Sequence, residues 1–204
     1  MKKIAILAYG SLIDNPGFEI QKQTVQIVKG VLTPFNVEYA RKSISRNFAP
    51  TLTITNDTGS KVKASLFILS DDCSIEFAKD ILYRREGNFT GNLNEVYYDD
   101  INWLKIEEIQ NFEGCESVIY AKCKRNLDNI SAGQLAELAL RSAKRKDLID
   151  AGRDGVSYLR NNIKNEVITP LTEDYTKVIL NKLEVQNLDE AITKLKDLAE
   201  ELII

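Results

Sequence analysis

Two short stretches carry residue types that could do chemistry together. The first is Tyr9-Gly10-Ser11-Leu12, which follows the largely apolar run Lys3 to Ala8. Gly10 admits backbone angles closed to other residues and lets a ligand approach the main chain. The amides of Ser11 and Leu12 beyond it can then bind an anion or a polarised carbonyl oxygen. On its own the stretch reads equally as a strand and an ordinary turn. The second stretch is Leu82-Tyr83-Arg84-Arg85-Glu86-Gly87. Glu86 falls in the last turn of an expected helix, where the negative end of the helix dipole disfavours a carboxylate anion, and an apolar pocket would add to that. Such a carboxyl suits proton exchange near neutral pH. Arg84 and Arg85 oppose the effect only if they share its face, which helical neighbours do not. The plainer reading is a surface glutamate in a charged last turn.

The composition narrows the chemistry. The sequence contains no histidine, which removes Ser-His-Asp and Cys-His nucleophiles, histidine bases and histidine-ligated zinc. Cys73, Cys115 and Cys123 are odd in number and lack Cys-x-x-Cys spacing, so they read as core thiols rather than a disulfide framework or a metal site. Proton transfer then falls to carboxylates, Lys, Tyr or Cys. The net charge of -3 gives no reason to expect nucleic acid or an anionic membrane as partner. Met1-Lys2-Lys3 and the apolar run after it are too short for an export signal, and no stretch approaches the ~20 apolar residues of a membrane span. The expectation is a cytoplasmic protein.

The elements that must position these residues follow from periodicity. Strands are expected at Lys3 to Ala8, Thr24 to Leu32 (with Gly30 marking a bulge), and Phe35 to Tyr39. Arg41 to Asn47 is basic and hydroxyl-rich, and reads as a solvated loop. Thr51 to Thr55, the turn Asn56-Asp57-Thr58-Gly59 and Val62 to Leu69 give a hairpin signal. Asp71 or Asp72 is expected to cap a helix with Ile75, Ala78, Ile81 and Leu82 on one face, and Gly87 to form its C-terminal cap. Strand signals resume at Glu95 to Tyr98, Trp103 to Ile106 and Ser117 to Ala121. From about Asn129 the pattern becomes helical, opening on the capping box Ser131-x-x-Gln134 and continuing over Val156 to Lys164, Glu173 to Leu183 and Asp189 to Leu202. In Gly152-Arg153-Asp154-Gly155-Val156-Ser157-Tyr158, Asp154 reads as a helix cap; the alternative places Arg153 or Tyr158 over a pocket. The fold class is α+β: a small, mostly antiparallel β-barrel over residues 1–128 with one inserted helix, and a helical extension over 129–204 packed on it within one folded unit.

In their order and separation, Tyr9-Gly10-Ser11-Leu12 and the helix ending at Glu86-Gly87 resemble the γ-glutamylcyclotransferase-like superfamily, over roughly Lys3 to Lys124. The resemblance implies that Tyr9, Gly10, Ser11 and Leu12 bind a γ-glutamyl group through backbone donors. It makes Glu86 the general acid/base, and Arg46, near Ser43, a candidate for holding a carboxylate. It implies release of 5-oxoproline by attack of the substrate's own α-amine on its γ-carbonyl, with no cofactor and no metal, which agrees with the lack of histidine. The partner is a small γ-glutamyl amide or amine. The chain departs from the family pattern at Ala64, where a Gly is expected, and in a longer Asn88 to Asn94 stretch. Two rivals stand beside this reading: a non-catalytic module binding a small metabolite on the same fold, and an interaction protein working through its helical tail. The amine leaving group and the oligomeric state are not legible.

Overall fold

The most continuously apolar segments take the middle of the main sheet. In the computed structural model, which describes residues 3–201, the chain runs β1 (Ile4–Ala8), α1 (Ser11–Asp14), α2 (Phe18–Gln23), β2 (Thr24–Leu32), β3 (Asn36–Ser43), a 3-10 turn (Ile44–Arg46), β4 (Ala49–Thr55) and β5 (Lys63–Leu69). It continues through α3 (Ile75–Gly87), β6 (Leu104–Phe112), β7 (Cys115–Cys123), α4 (Ala132–Ala143), α5 (Lys146–Asp150), α6 (Gly155–Lys164), α7 (Thr172–Leu183) and α8 (Leu188–Glu201). Two compact units result. One runs to Pro34 and resumes over Lys63–Lys124; the other takes Phe35–Val62 and the chain from Arg125 onward.

The first unit holds a five-stranded sheet in the order β2-β5-β1-β7-β6. β1 pairs antiparallel with β5, setting Ile6 opposite Phe67, and parallel with β7, setting Ile6 opposite Ile119. Because strand side chains alternate, Ile6, Ala8, Phe67, Leu69, Leu104, Ile106, Ile119 and Ala121 form one apolar layer, against which α3 sets Ala78, Ile81 and Leu82. The outer strands are less apolar and more exposed. β2 is interrupted where Gly30, at φ 77°, forces a register shift between Lys29 and Val31, as expected for a bulge.

Among the described residues no closed barrel forms. The sheet ends at β2 and β6, while β3 and β4 make a separate two-stranded ladder. The expected hairpin of residues 51–69 is also absent. β4 pairs with β3, Ser60 bridges back to Val37, and only then does the chain enter the other sheet as β5. The near-continuously apolar Ala64 to Leu69 suits an interior strand flanked on both edges, which an isolated hairpin does not offer. Glu95 to Tyr98 is not a strand either. Side chains of α3 take its backbone instead: Arg84 Nη1 donates to the Glu95 carbonyl (3.0 Å), and the Tyr97 amide donates to Asp80 Oδ1 (2.8 Å).

The second unit joins the β3–β4 ladder to all five C-terminal helices. The expected boundary near residue 128 therefore does not coincide with the division observed. Ser131 caps α4 through the Gln134 amide (3.3 Å), and Asp154, fully buried, caps α6 through the Val156 and Ser157 amides. Tyr39 lies edge-on to Tyr158 and Tyr175. Gly155 sits where backbones meet: a Cβ there would lie 2.6 Å from Ala139 Cα and 3.2 Å from Ala49 Cβ. No described helix is long and apolar enough to cross a membrane.

Gly155→Ala is expected to lower stability by about 1–3 kcal/mol through overpacking, despite alanine's better helix propensity. Urea unfolding followed by far-ultraviolet circular dichroism measures the loss.

Candidate active site

The first unit assembles its polar residues around the end of α3. Ser74, not Asp71 or Asp72, caps the start of this helix, its Oγ accepting from the Phe77 amide. At the other end Asn88, not Gly87, takes the left-handed conformation (φ 59°). The Phe89 amide reaches back to the Arg84 carbonyl (2.7 Å) and the Asn88 amide to that of Arg85 (3.4 Å), while Phe89 packs on Tyr83. This is the Schellman arrangement with its apolar clasp. Gly87 serves another need. A Cβ at that position would lie 2.4 Å from the Phe89 ring.

The cap aims Arg84, Arg85 and Glu86 in a fixed order. Arg84, 2% exposed, forms a two-pronged ion pair with Glu19 of α2 (Nη2–Oε1 2.7 Å, Nε–Oε2 3.2 Å). The Gly91 amide donates to the same carboxylate (3.1 Å). Burial pushes the Glu19 carboxyl up, but Arg84 and the Gly91 amide outweigh it and hold the group below the usual carboxylate range.

Arg85 points the other way, to the opening loop. Its Nε and Nη2 donate to the Asn15 carbonyl (3.0 and 2.9 Å), Nη2 also to Ser11 Oγ (3.1 Å), and Nη1 to Glu86 Oε1 (2.6 Å). The Arg85 and Glu86 side chains are only 13% and 16% exposed. The expectation that Arg85 would turn away from Glu86 is thus overturned. The helix stops one residue after Glu86, so no further turn separates two long side chains that bend back over its end.

The loop itself is ordered by β1 and by one turn of helix. Gly10 adopts φ 61°, ψ -138°, a conformation open essentially to glycine, and α1 begins at Ser11. The Ser11 and Leu12 amides, in the first turn of α1, have no intrahelical acceptor. Leu12 buries its side chain in the core. The Tyr9 hydroxyl donates to the Ala121 carbonyl (2.7 Å), which anchors the loop to β7. Ser11 and Glu86, remote in sequence, therefore touch opposite amino groups of one guanidinium.

Arg46 belongs to the second unit. Its Nη1 donates to the Arg153 carbonyl (3.0 Å), and its guanidinium lies 5.0 Å from the centre of the Tyr158 ring. Sequence reasoning missed Arg85, Asn15 and the Arg84–Glu19 pair. The available signal was a pair of arginines in a helix's last turn, where cations are favoured, beside an acid.

No family model matches the chain, and no curated protein matches it. Among solved structures it is similar to a yeast γ-glutamyl cyclotransferase specific to glutathione, over 98% of this chain and 99% of that one, at 9% identity and a TM-score of 0.48. A likeness that distant fixes neither substrate nor chemistry.

Removing the Glu19 carboxylate leaves Arg84 buried without its partner. Glu19→Gln is expected to cost the first unit about 3 kcal/mol at pH 7. Because the folded carboxyl lies below its unfolded value, this contribution is complete above about pH 4.3 and fades as pH falls through the folded value. The difference between parent and variant should shrink accordingly in unfolding followed by fluorescence of Trp103, the chain's single tryptophan.

Proposed function

We propose that the chain is an enzyme that releases 5-oxoproline from a γ-glutamyl amide or amine. One observation carries this reading: a donor loop built on Gly10 and an acid on the last turn of α3 are clamped to each other by Arg85. In the proposed reaction Glu86 accepts a proton from the substrate's α-ammonium. The freed amine attacks the γ-carbonyl and closes a five-membered ring, and the Ser11 and Leu12 amides stabilise the oxyanion. Collapse of the tetrahedral intermediate breaks the bond to the leaving amine, which takes one proton back from Glu86 and a second from the ring nitrogen, so that 5-oxoproline departs with a neutral lactam and the amine departs as an ammonium. A carboxylate and backbone donors can carry the proton transfers and the oxyanion, and neither needs histidine, of which the chain has none.

A second reading is a module that binds a small carboxylate or amine metabolite without turnover. The observation in its favour is that Glu86 is engaged in an ion pair rather than poised free. Calorimetric binding without product would select it.

Incubation with γ-glutamyl amino acids, γ-glutamyl polyamines and glutathione should yield 5-oxoproline from at least one class. Glu86→Gln should lose at least ~100-fold in kcat. No product from any substrate, with Glu86→Gln indistinguishable from the parent, rejects the enzymatic reading.

A further inference from the structure

If the proposed reaction is right, the attacking amine belongs to a free α-amino acid head group, and this inference rests on that reading for its choice of substrate. Such a head group carries a carboxylate and an ammonium on one carbon. The site holds the same two charges in mirror order: the Arg85 guanidinium and the Glu86 carboxylate, adjacent in the chain, 2.6 Å apart and largely buried. We infer that the Arg85–Glu86 pair is a receiver for this zwitterion, with the substrate's α-carboxylate taken by Arg85 and its α-ammonium by Glu86.

The hydrogen bonds around Arg85 favour such an exchange. Three of them, two to the Asn15 carbonyl and one to Ser11 Oγ, hold the guanidinium by its Nε and Nη2. Glu86 touches only Nη1. When Glu86 turns to the incoming ammonium, Arg85 stays fixed by the loop and presents Nη1 to the carboxylate. Each of the four charges then lies beside opposite charges, and none is left buried alone. A ligand lacking either charge strands one member of the pair, which is the costly outcome in a site sheltered from water. The pair thus selects glutamyl groups with both ends of the head group free. Arg85 is a substrate-binding residue here, while Glu86 keeps its role in proton transfer.

Calorimetric titration with L-glutamate, with its α-amide isoglutamine and with N-acetyl-L-glutamate tests the assignment without requiring turnover. The parent should bind glutamate at least ~10-fold more tightly than either analogue. Arg85→Gln should bring glutamate and isoglutamine within ~2-fold of each other, while Arg85→Lys, which keeps the charge, should retain part of the preference. Trp103 fluorescence checks that the variants are folded; should Arg85→Gln fail to fold, the parent's ligand series together with Arg85→Lys decides. Equal binding of the three ligands by the parent, no binding of any, or a preference that survives in Arg85→Gln overturns the inference. Formation of 5-oxoproline alongside equal binding would reject the receiver and keep the enzyme. A strong head-group preference with no product from any γ-glutamyl compound would do the reverse.

Discussion

The first unit depends on how the last turn of α3 disposes of two adjacent arginines. A helix C-terminus attracts cations, yet both guanidinium groups are too sheltered to rely on water. Each must therefore find an acceptor set in a different part of the chain. Arg84 finds it in Glu19 and the Glu95 carbonyl, tying α2 and the segment after the helix to α3. Arg85 finds it in Asn15, Ser11 and Glu86, tying the opening loop to the acid. The Schellman cap at Asn88 and Phe89 ends the helix where these two reaches diverge. Structure and candidate chemistry thus share one anchor.

Much of the fold was legible because its signals are local. The bulge at Gly30, the Ser131 cap (though not the reciprocal bond from the Gln134 side chain), the cap at Asp154 and helices α6, α7 and α8 lie where period and capping chemistry put them, the expected last residue of α8, Leu202, lying outside the described residues. What escaped depends on partners remote in sequence. Nothing in Thr51 to Leu69 says that β4 will pair with the strand before it, β3, rather than with the strand after it, β5. Glu95 to Tyr98 has strand composition, but Arg84 and Asp80 claim its backbone. Glu38 reads as the polar side of a half-buried strand, whereas it is 1% exposed and accepts from the Tyr39 amide; burial pushes its carboxyl up, against hydrogen bonds from Thr169, Tyr39 and Leu171. The division into units is the largest case, since it groups residues 35–62 with helices that begin beyond Arg125.

The site was legible in part, and for a related reason. Gly10 could be singled out because a glycine closing an apolar run has few structural alternatives, and the φ of 61° accords with that. Glu86 could be singled out by its place on a helix. Arg85 was marked only by its place in a charged last turn, and rules for helix faces, which describe the interior of a helix and lose force in the final turn, pointed it away from Glu86. There a long side chain can fold past the end and meet its own neighbour.

That failure of the helical rule changes the electrostatic picture of the acid. The acid does not stand alone at the helix end: it is paired with a sheltered guanidinium, and the two opposite charges form a dipole. Such a dipole can exchange partners with a ligand of opposite polarity at little cost, because no charge is bare at either end of the exchange. A histidine base would offer no comparable complement to an amino acid head group, since its neutral form carries no charge to pair with an ammonium. A carboxylate leashed to an arginine does, and the loop that fixes the arginine in turn fixes where the head group would sit. In the proposed reaction, recognition of the head group and delivery of the base would both follow from one set of contacts, those that join Ser11, Arg85 and Glu86.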